Sequence, residues 1–200
     1  MAGTFPSSWE EVALVSIAKT GGTAYQFASI TETIDIAEPD YPGESIKNLA
    51  GGRIWKQSSQ EDGEITLEIY PIEIDTTAGS GLAQEFVGGT WDASEPLATD
   101  TSWQSGIDRT RDTFSIAILW TTDAAATDAF ATTSATDKTA LRFYAKKCRI
   151  ISHKTSFTDG IVKTTVTFKF PDMNKAGSTK NWAWESTDDT DTSPLPTITP

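Results

Sequence analysis

Apolar and polar side chains alternate with a period of two along much of this chain, the pattern of strands with one buried and one wet face. In "GEITLEIYPIEID", Ile65, Leu67 and Ile69 interleave with Thr66, Glu68 and Tyr70 before Pro71 interrupts and Ile72 and Ile74 resume. "SITETIDIAE" sets Ile30, Ile34 and Ile36 on one parity, and "DTFSIAILWTT" does the same with Phe114, Ile116, Ile118 and Trp120. Around "EEVALVSIAK" both parities are apolar, Val12 and Leu14 against Ala13, Val15 and Ile17, which predicts a strand buried on two sides. "TALRFYAKKCRIIS" predicts a further strand. The clearest hairpin joins 153–158 to 161–170 through Asp159-Gly160, a favoured pair for a type I′ turn. Its second arm should turn Val162, Val166, Phe168 and Phe170 inward and Lys163, Thr165, Thr167 and Lys169 outward.

One stretch has helical spacing. "AGSGLAQEFVGGTW" offers Ser80 as a cap, Leu82, Phe86 and Val87 on one face, and Gly88 and Gly89 as a stop. The expected fold is therefore mainly β, an antiparallel β-sandwich or partly closed barrel with one short α-helix. Two hundred residues suit one such domain with arms.

Two connections do not fit a packing account. Residues 37–63 carry two prolines and, before Glu61, three glycines, yet also Tyr41, Ile46, Leu49, Ile54 and Trp55, too many large side chains for an idle solvated loop. Residues 89–112 form a second long polar connection, with Trp91 and Trp103. After Phe170 come Trp182 and Trp184 and then an end rich in Pro, Thr and Asp that reads as disordered when alone. Large aromatics in loops and arms are what subunit interfaces are made of, so the 37–63 lead-in reads as a surface for another copy.

Charge and chemistry narrow the function. Sixteen basic against 28 acidic residues give a net charge of -12, which argues against general affinity for nucleic acid. The charge is uneven: residues 138–180 hold ten basic residues and only Asp159 and Asp172, a net of +8 that leaves -20 elsewhere. Such a stretch either lines solvent faces of strands or meets an acidic surface on a neighbour.

One cysteine, Cys148, and one histidine, His153, cannot assemble the usual zinc sets, and no cofactor is expected. Cys148 lies between Lys147 and Arg149, but its alternation with Ile150 predicts a core thiol. His153 reads as an ordinary strand residue, and Glu61-Asp62 as turn chemistry. Asp188, Asp189 and Asp191 lack the glycine and glutamate of a calcium loop. No phosphate loop, dinucleotide fingerprint or nucleophile elbow is present, so no catalytic or metal-binding residue is assigned. The N-terminus lacks the basic start and apolar run of a signal peptide, and no run is long enough to span a bilayer; the expectation is a chain made without export and without membrane insertion.

The order of elements over about residues 10–172, with "DGEITLEIYP" followed by the helical stretch and "TDGIVKTTVTFKFP" near the end, resembles the major tail tube proteins of long-tailed viruses. That resemblance implies hexameric rings stacked into a hollow tube in the virion tail. Other tail proteins would be partners, and double-stranded DNA would pass through the lumen without specific binding. It divides the chain into an N-terminal arm at 1–11, a tube domain at 12–172 with its ring-to-ring loop at 37–63, and a C-terminal arm at 173–200. Tyr41, Ile46, Leu49, Ile54 and Trp55 would be the loop contacts, and Phe5, Trp9, Trp182 and Trp184 the arm contacts. Another virion β protein, such as a capsid decoration or head-completion subunit, and a sugar-binding module using exposed tryptophans are the alternatives.

Overall fold

The computed structural model describes residues 12–20, 24–26, 30–47, 49–57, 60–69, 113–123, 125–131, 139–187 and 195–200. The helix expected at 80–87, together with Phe5, Trp9, Trp91 and Trp103, lies outside them. Within them the chain is mainly β. The strands are β1 (Val12–Lys19), β2 (Ala24–Gln26), β3 (Ile30–Ala37), β4 (Gly43–Lys47), β5 (Arg53–Gln57), β6 (Gly63–Ile69), β7 (Phe114–Thr121), β8 (Ala140–Thr158), β9 (Ile161–Phe170) and β10 (Trp182–Thr187). Eight of them follow the order β2-β1-β7-β8-β9-β6-β3 with β10 beside β8, while β4 and β5 pair only with each other among the described strands. Every described pairing is antiparallel.

Strand β8, 19 residues long, carries the architecture. Its first half lies between β7 and β10, and its second half pairs with β9. Between the halves it takes up extra residues: opposite β7 the register shifts between Phe114 and Ile116, and opposite β9 between Ile150 and Ser152. Lys147 there has a φ of 60°, in the left-handed region. Bulges bend a strand and raise its twist, which lets one strand leave one sheet and enter another.

The inner faces of the two halves meet in one core. Val15, Ile17, Phe114, Ile116, Ile118 and Phe143 come from the first, and Ile65, Leu67, Val166, Phe168 and Phe170 from the second. Cys148 and Ile150 fill the bend. The Cys148 thiol is buried, as its alternation predicts, and burial pushes its pKa well above the ordinary thiol range. The Asp159-Gly160 turn has positive φ at both residues, 55° and 79°, as a type I′ turn requires.

The first sheet is buried on its other face too, in keeping with the double apolar parity of β1. Ala18, Ala117, Leu119 and Ala140 lie beneath Ala129 and Phe130 of the β7–β8 connection and Leu195 and Ile198 of the C-terminal segment. Arg142, fully buried, holds this cover down. Its guanidinium donates to the Ala131 carbonyl at 3.0 Å, the Pro196 carbonyl at 2.5 Å and Glu185 Oε2 at 2.5 and 2.8 Å. The Ile198 amide donates to the Phe130 carbonyl at 2.9 Å. A buried cation is tolerable only with this degree of pairing.

The region expected as a C-terminal arm from residue 173 is thus in part a strand of the chain's own sheet. β10 turns Trp182 and Trp184 toward the core face of β8, and Leu195 and Ile198 are buried rather than free. Six residues of strand beside an exposed β8 edge bury enough aromatic surface to outweigh the polar composition that follows.

Gly63, at the start of β6, sits where a Cβ would come within 2.3 Å of the Phe170 ring, which packs against Phe143 and Trp182. Gly63→Ala should therefore cost about 1–3 kcal/mol by overpacking, read as a lower urea midpoint with an unchanged slope. An unchanged midpoint would show that this face of the core is loosely packed.

Candidate functional site

The region expected as a ring-to-ring loop is itself a hairpin. Residues 43–47 and 53–57 pair with Ser45 opposite Trp55, Ile46 opposite Ile54 and Lys47 opposite Arg53. Alternation puts Ile46 and Ile54 on one face and Trp55 on the other, its ring across Gly43. All five β4 residues are exposed. The large apolar side chains follow suit: Tyr41 is 44% exposed, Ile46 44%, Ile54 58%, Trp55 67%, and Leu49 in the turn is fully exposed. Four of the five predicted contact residues, Ile46, Leu49, Ile54 and Trp55, thus lie exposed on this hairpin, and Tyr41 lies at its base.

A lone two-stranded hairpin is marginal in water, because it has no third strand or packed face to offset the ordering of its backbone. Here Lys47 and Arg53 also face each other as like charges, a cross-strand arrangement that weakens a hairpin unless an anion stands nearby. What holds it is its root. The Glu61 amide donates to the Asp40 carbonyl at 2.9 Å, closing the two ends of the 40–61 segment. The Tyr41 hydroxyl donates to Asp172 Oδ2 at 3.1 Å, and the Trp184 indole donates to Glu38 Oε1 at 2.6 Å.

Asp172 is the hub of this root. Only 3% exposed, it accepts from Lys180 Nζ at 2.9 Å and Trp182 Nε1 at 2.6 Å on Oδ1 besides Tyr41 on Oδ2. Its backbone carbonyl accepts from the Asn181 amide at 2.8 Å. Burial alone would raise the Asp172 carboxyl; the hydrogen bonds of Lys180, Trp182 and Tyr41, with the Gln60 amide beside it, outweigh that and hold it well below the usual carboxylate range. The hydrogen bond to Asp172 in turn raises Lys180. Tyr41 and the 180–182 segment are so tied to one carboxylate.

Periodicity gave no sign of Asp172, which meets Tyr41 from far away in the sequence and Lys180 and Trp182 from the segment just after it; the only local signal is a carboxylate directly after Pro171 at a strand end. Trp182 and Trp184 serve this root and the core. Trp184 lies 4.9 Å from Phe143 and stacks on Trp120 at 6.0 Å, keeping 40% of its surface exposed. His153 lies in β8 opposite Val166. Glu61 and Asp62 are exposed ahead of β6. Among the described residues, no three His, Cys, Asp or Glu side chains are grouped to hold a metal ion. The arrangement is an exposed apolar hairpin on a fixed base.

No family model matches the chain, and no curated protein matches it. Its course is similar to that of several solved structures. One is the PVC sheath/tube terminator of an extracellular contractile injection system, at 13% identity over 92% of this chain and 99% of that one, with a TM-score of 0.49. Another is the tube-terminating cap of the anti-feeding prophage, at 9% identity over 94% and 95% of the two chains, TM-score 0.46. A third is Hcp1 from Flavobacterium johnsoniae, at 12% identity over 78% and 89%, TM-score 0.32.

The depressed Asp172 carboxyl makes the root sensitive to acid. Its contribution is full above the ordinary value of 3.8 and is lost as pH falls below that toward the lower folded-state value. Asp172→Asn should unfold at lower urea than the wild type at neutral pH, and the two curves should converge in strong acid. Parallel curves down to the acid limit would mean the carboxylate charge does not hold the root.

Proposed function

We propose that this chain is a structural subunit that assembles with copies of itself into stacked rings, and that the β4–β5 hairpin is the element that grips the neighbouring ring. The observation that carries this reading is the hairpin: a two-stranded element with exposed apolar residues on both faces and at its turn, on a base tied down by a buried carboxylate. Burying one such side chain fully is worth about 1.5–3 kcal/mol, so a partner that covered Ile46, Ile54, Trp55 and Leu49 would gain enough for stable association.

Two further features support a ring. β2 and β3 end the strand order, and β10 flanks β8; each has one side unpaired among the described strands. Open edges are aggregation hazards, and pairing them with like copies in a closed ring removes them. The net charge of -12 suits a channel that conducts nucleic acid without retaining it. Together with the resemblance in the strand pattern, these point to hexameric rings of a viral tail tube, located in the virion tail, bound to other tail proteins and passing double-stranded DNA. The role is structural, with no catalytic step.

Electron microscopy of the concentrated protein tests the reading. The wild type should form tubes or stacked rings, whereas the combined variant Ile46→Ser, Ile54→Ser and Trp55→Ser, all at exposed positions, should keep its circular dichroism spectrum and yield single rings or monomers. Monomers from the intact chain at every concentration, or stacking unaltered in the variant, would contradict it.

A further inference from the structure

Charge is sorted along the β4–β5 hairpin. Residues 47–56 hold three basic and no acidic residues, whereas 31–46 and 57–68 together hold nine acidic and no basic ones. The pairing of β4 with β5 carries the basic block to the outer part of the hairpin, and the acidic flanks run back to its base. Several of these charges are matched within the chain. Glu44 stands opposite Lys56, Glu64 stands opposite Lys169, and Glu68 is paired with Lys163 at 2.8 Å. Asp62 shares the groove at the bend of β8 with Lys147, Arg149 and Lys169.

What remains gathers like charges at the two ends. On the outer part, Lys47 and Arg53 are exposed and oppose each other in the last pair of the ladder. Trp55 follows Arg53 on the same face, 67% exposed, with its ring laid across Gly43, where a Cβ would collide with it. At the base, Asp40 and Glu61 are exposed and joined through the Glu61 amide and the Asp40 carbonyl, with Asp35 exposed on β3 nearby in the chain. Glu38 accepts from the Trp184 indole, a neutral donor, and Lys180, the cation of the root, donates to Asp172. Like charges set opposite each other weaken a strand pair, and this hairpin carries such a set at each end. The two sets cannot neutralise each other in one chain: β4 spans about 13 Å from Gly43 to Lys47, Asp40 lies further back, and screening reaches about 8 Å at physiological salt.

We infer that the face formed by Lys47, Arg53 and Trp55 docks on the acidic base of a second copy's hairpin, at Asp35, Asp40 and Glu61. An ion pair left in water is worth little, whereas one covered by a large aromatic ring at a packed contact is worth more, and Trp55 is placed to provide that cover. The inference rests on the stacking reading and deepens it by naming what the hairpin meets. Ile46 and Ile54, on the other face, supply apolar grip, while the charged face fixes which part of the neighbour is met. Repeated in one direction, a contact of tip with base adds copies along an axis, and complementary charge sets its orientation and rate of encounter.

Charge reversal in the full-length chain tests the contact. The tip variant Lys47→Glu/Arg53→Glu and the base variant Asp40→Lys/Glu61→Lys change exposed residues and should keep the circular dichroism spectrum of the wild type. Each alone should associate at least about tenfold more weakly in sedimentation velocity. An equal mixture of the two, and the chain carrying all four reversals, should recover association, since each then offers opposite charges at tip and base. Wild-type association should weaken as salt rises. A wild type that stays monomeric, association that ignores salt, a reversal variant that associates like the wild type, or folded variants whose mixture does no better than either alone would each overturn the contact. If a reversal disturbs the fold, Lys47→Gln/Arg53→Gln takes its place and should lose most of the salt dependence; a salt dependence equal to that of the wild type would overturn the contact. Stacked rings indifferent to every charge variant would remove this contact and leave the ring reading. A charge-dependent association that ends at pairs would remove the ring reading and leave the contact.

Discussion

Strand β8 has to satisfy two sheets at once, and the rest of the molecule is arranged around how it does so. A regular strand of 19 residues would keep its neighbours in a single open sheet. The extra residues near Lys147 and Ile151 break the register on each side in turn, so that β7 and β10 hold one half and β9 the other. The core then closes between the halves, with Cys148 and Ile150 at the corner and the aromatic rings of Phe114, Phe143, Phe168 and Phe170 filling the space. At the same bend Lys147 and Arg149 are exposed. Core, groove and hairpin root all lie within reach of one irregularity in one strand.

The polar features are concentrated where separate segments must be held in a fixed relation. Arg142 joins the β7–β8 connection and the C-terminal segment to the sheet, and Asp172 joins the base of the hairpin to β10. Each is a buried charge whose hydrogen-bonding capacity is used by groups remote in sequence. Such groups add little net stability compared with apolar residues of the same volume, but leaving them half satisfied is expensive, and this favours one geometry over its alternatives. In the proposed ring stacking, this fixes the direction of the hairpin before a partner arrives, so that less entropy would be lost on contact.

Legibility in the sequence followed burial. β1, β6, β7 and β9 announced themselves because their faces differ in environment or are both buried, and the Asp159-Gly160 turn because its backbone demands that chemistry. The exposed apolar residues of 37–63 were legible as large side chains in a polar connection. The hairpin that carries them was not, since a strand pair exposed on both faces has no reason to alternate. β10 was hidden by its length and by the polar residues after it. Arg142 looked like one more member of a basic stretch, although it shares a parity with Tyr144 and lies between apolar neighbours. Asp172 could not be read at all, since its meaning depends on Tyr41, Lys180 and Trp182 meeting in space.

The central claim is that the β4–β5 hairpin is covered by another copy of the chain. Hydrogen–deuterium exchange of the full-length protein, followed from dilute to concentrated solution, tests it most directly. Amides of residues 43–57 should exchange rapidly in the dilute protein and become protected as the concentration rises, while the core strands β7 and β9 stay protected throughout. Equal, rapid exchange of the hairpin at all concentrations, in samples that nevertheless assemble, would contradict the account.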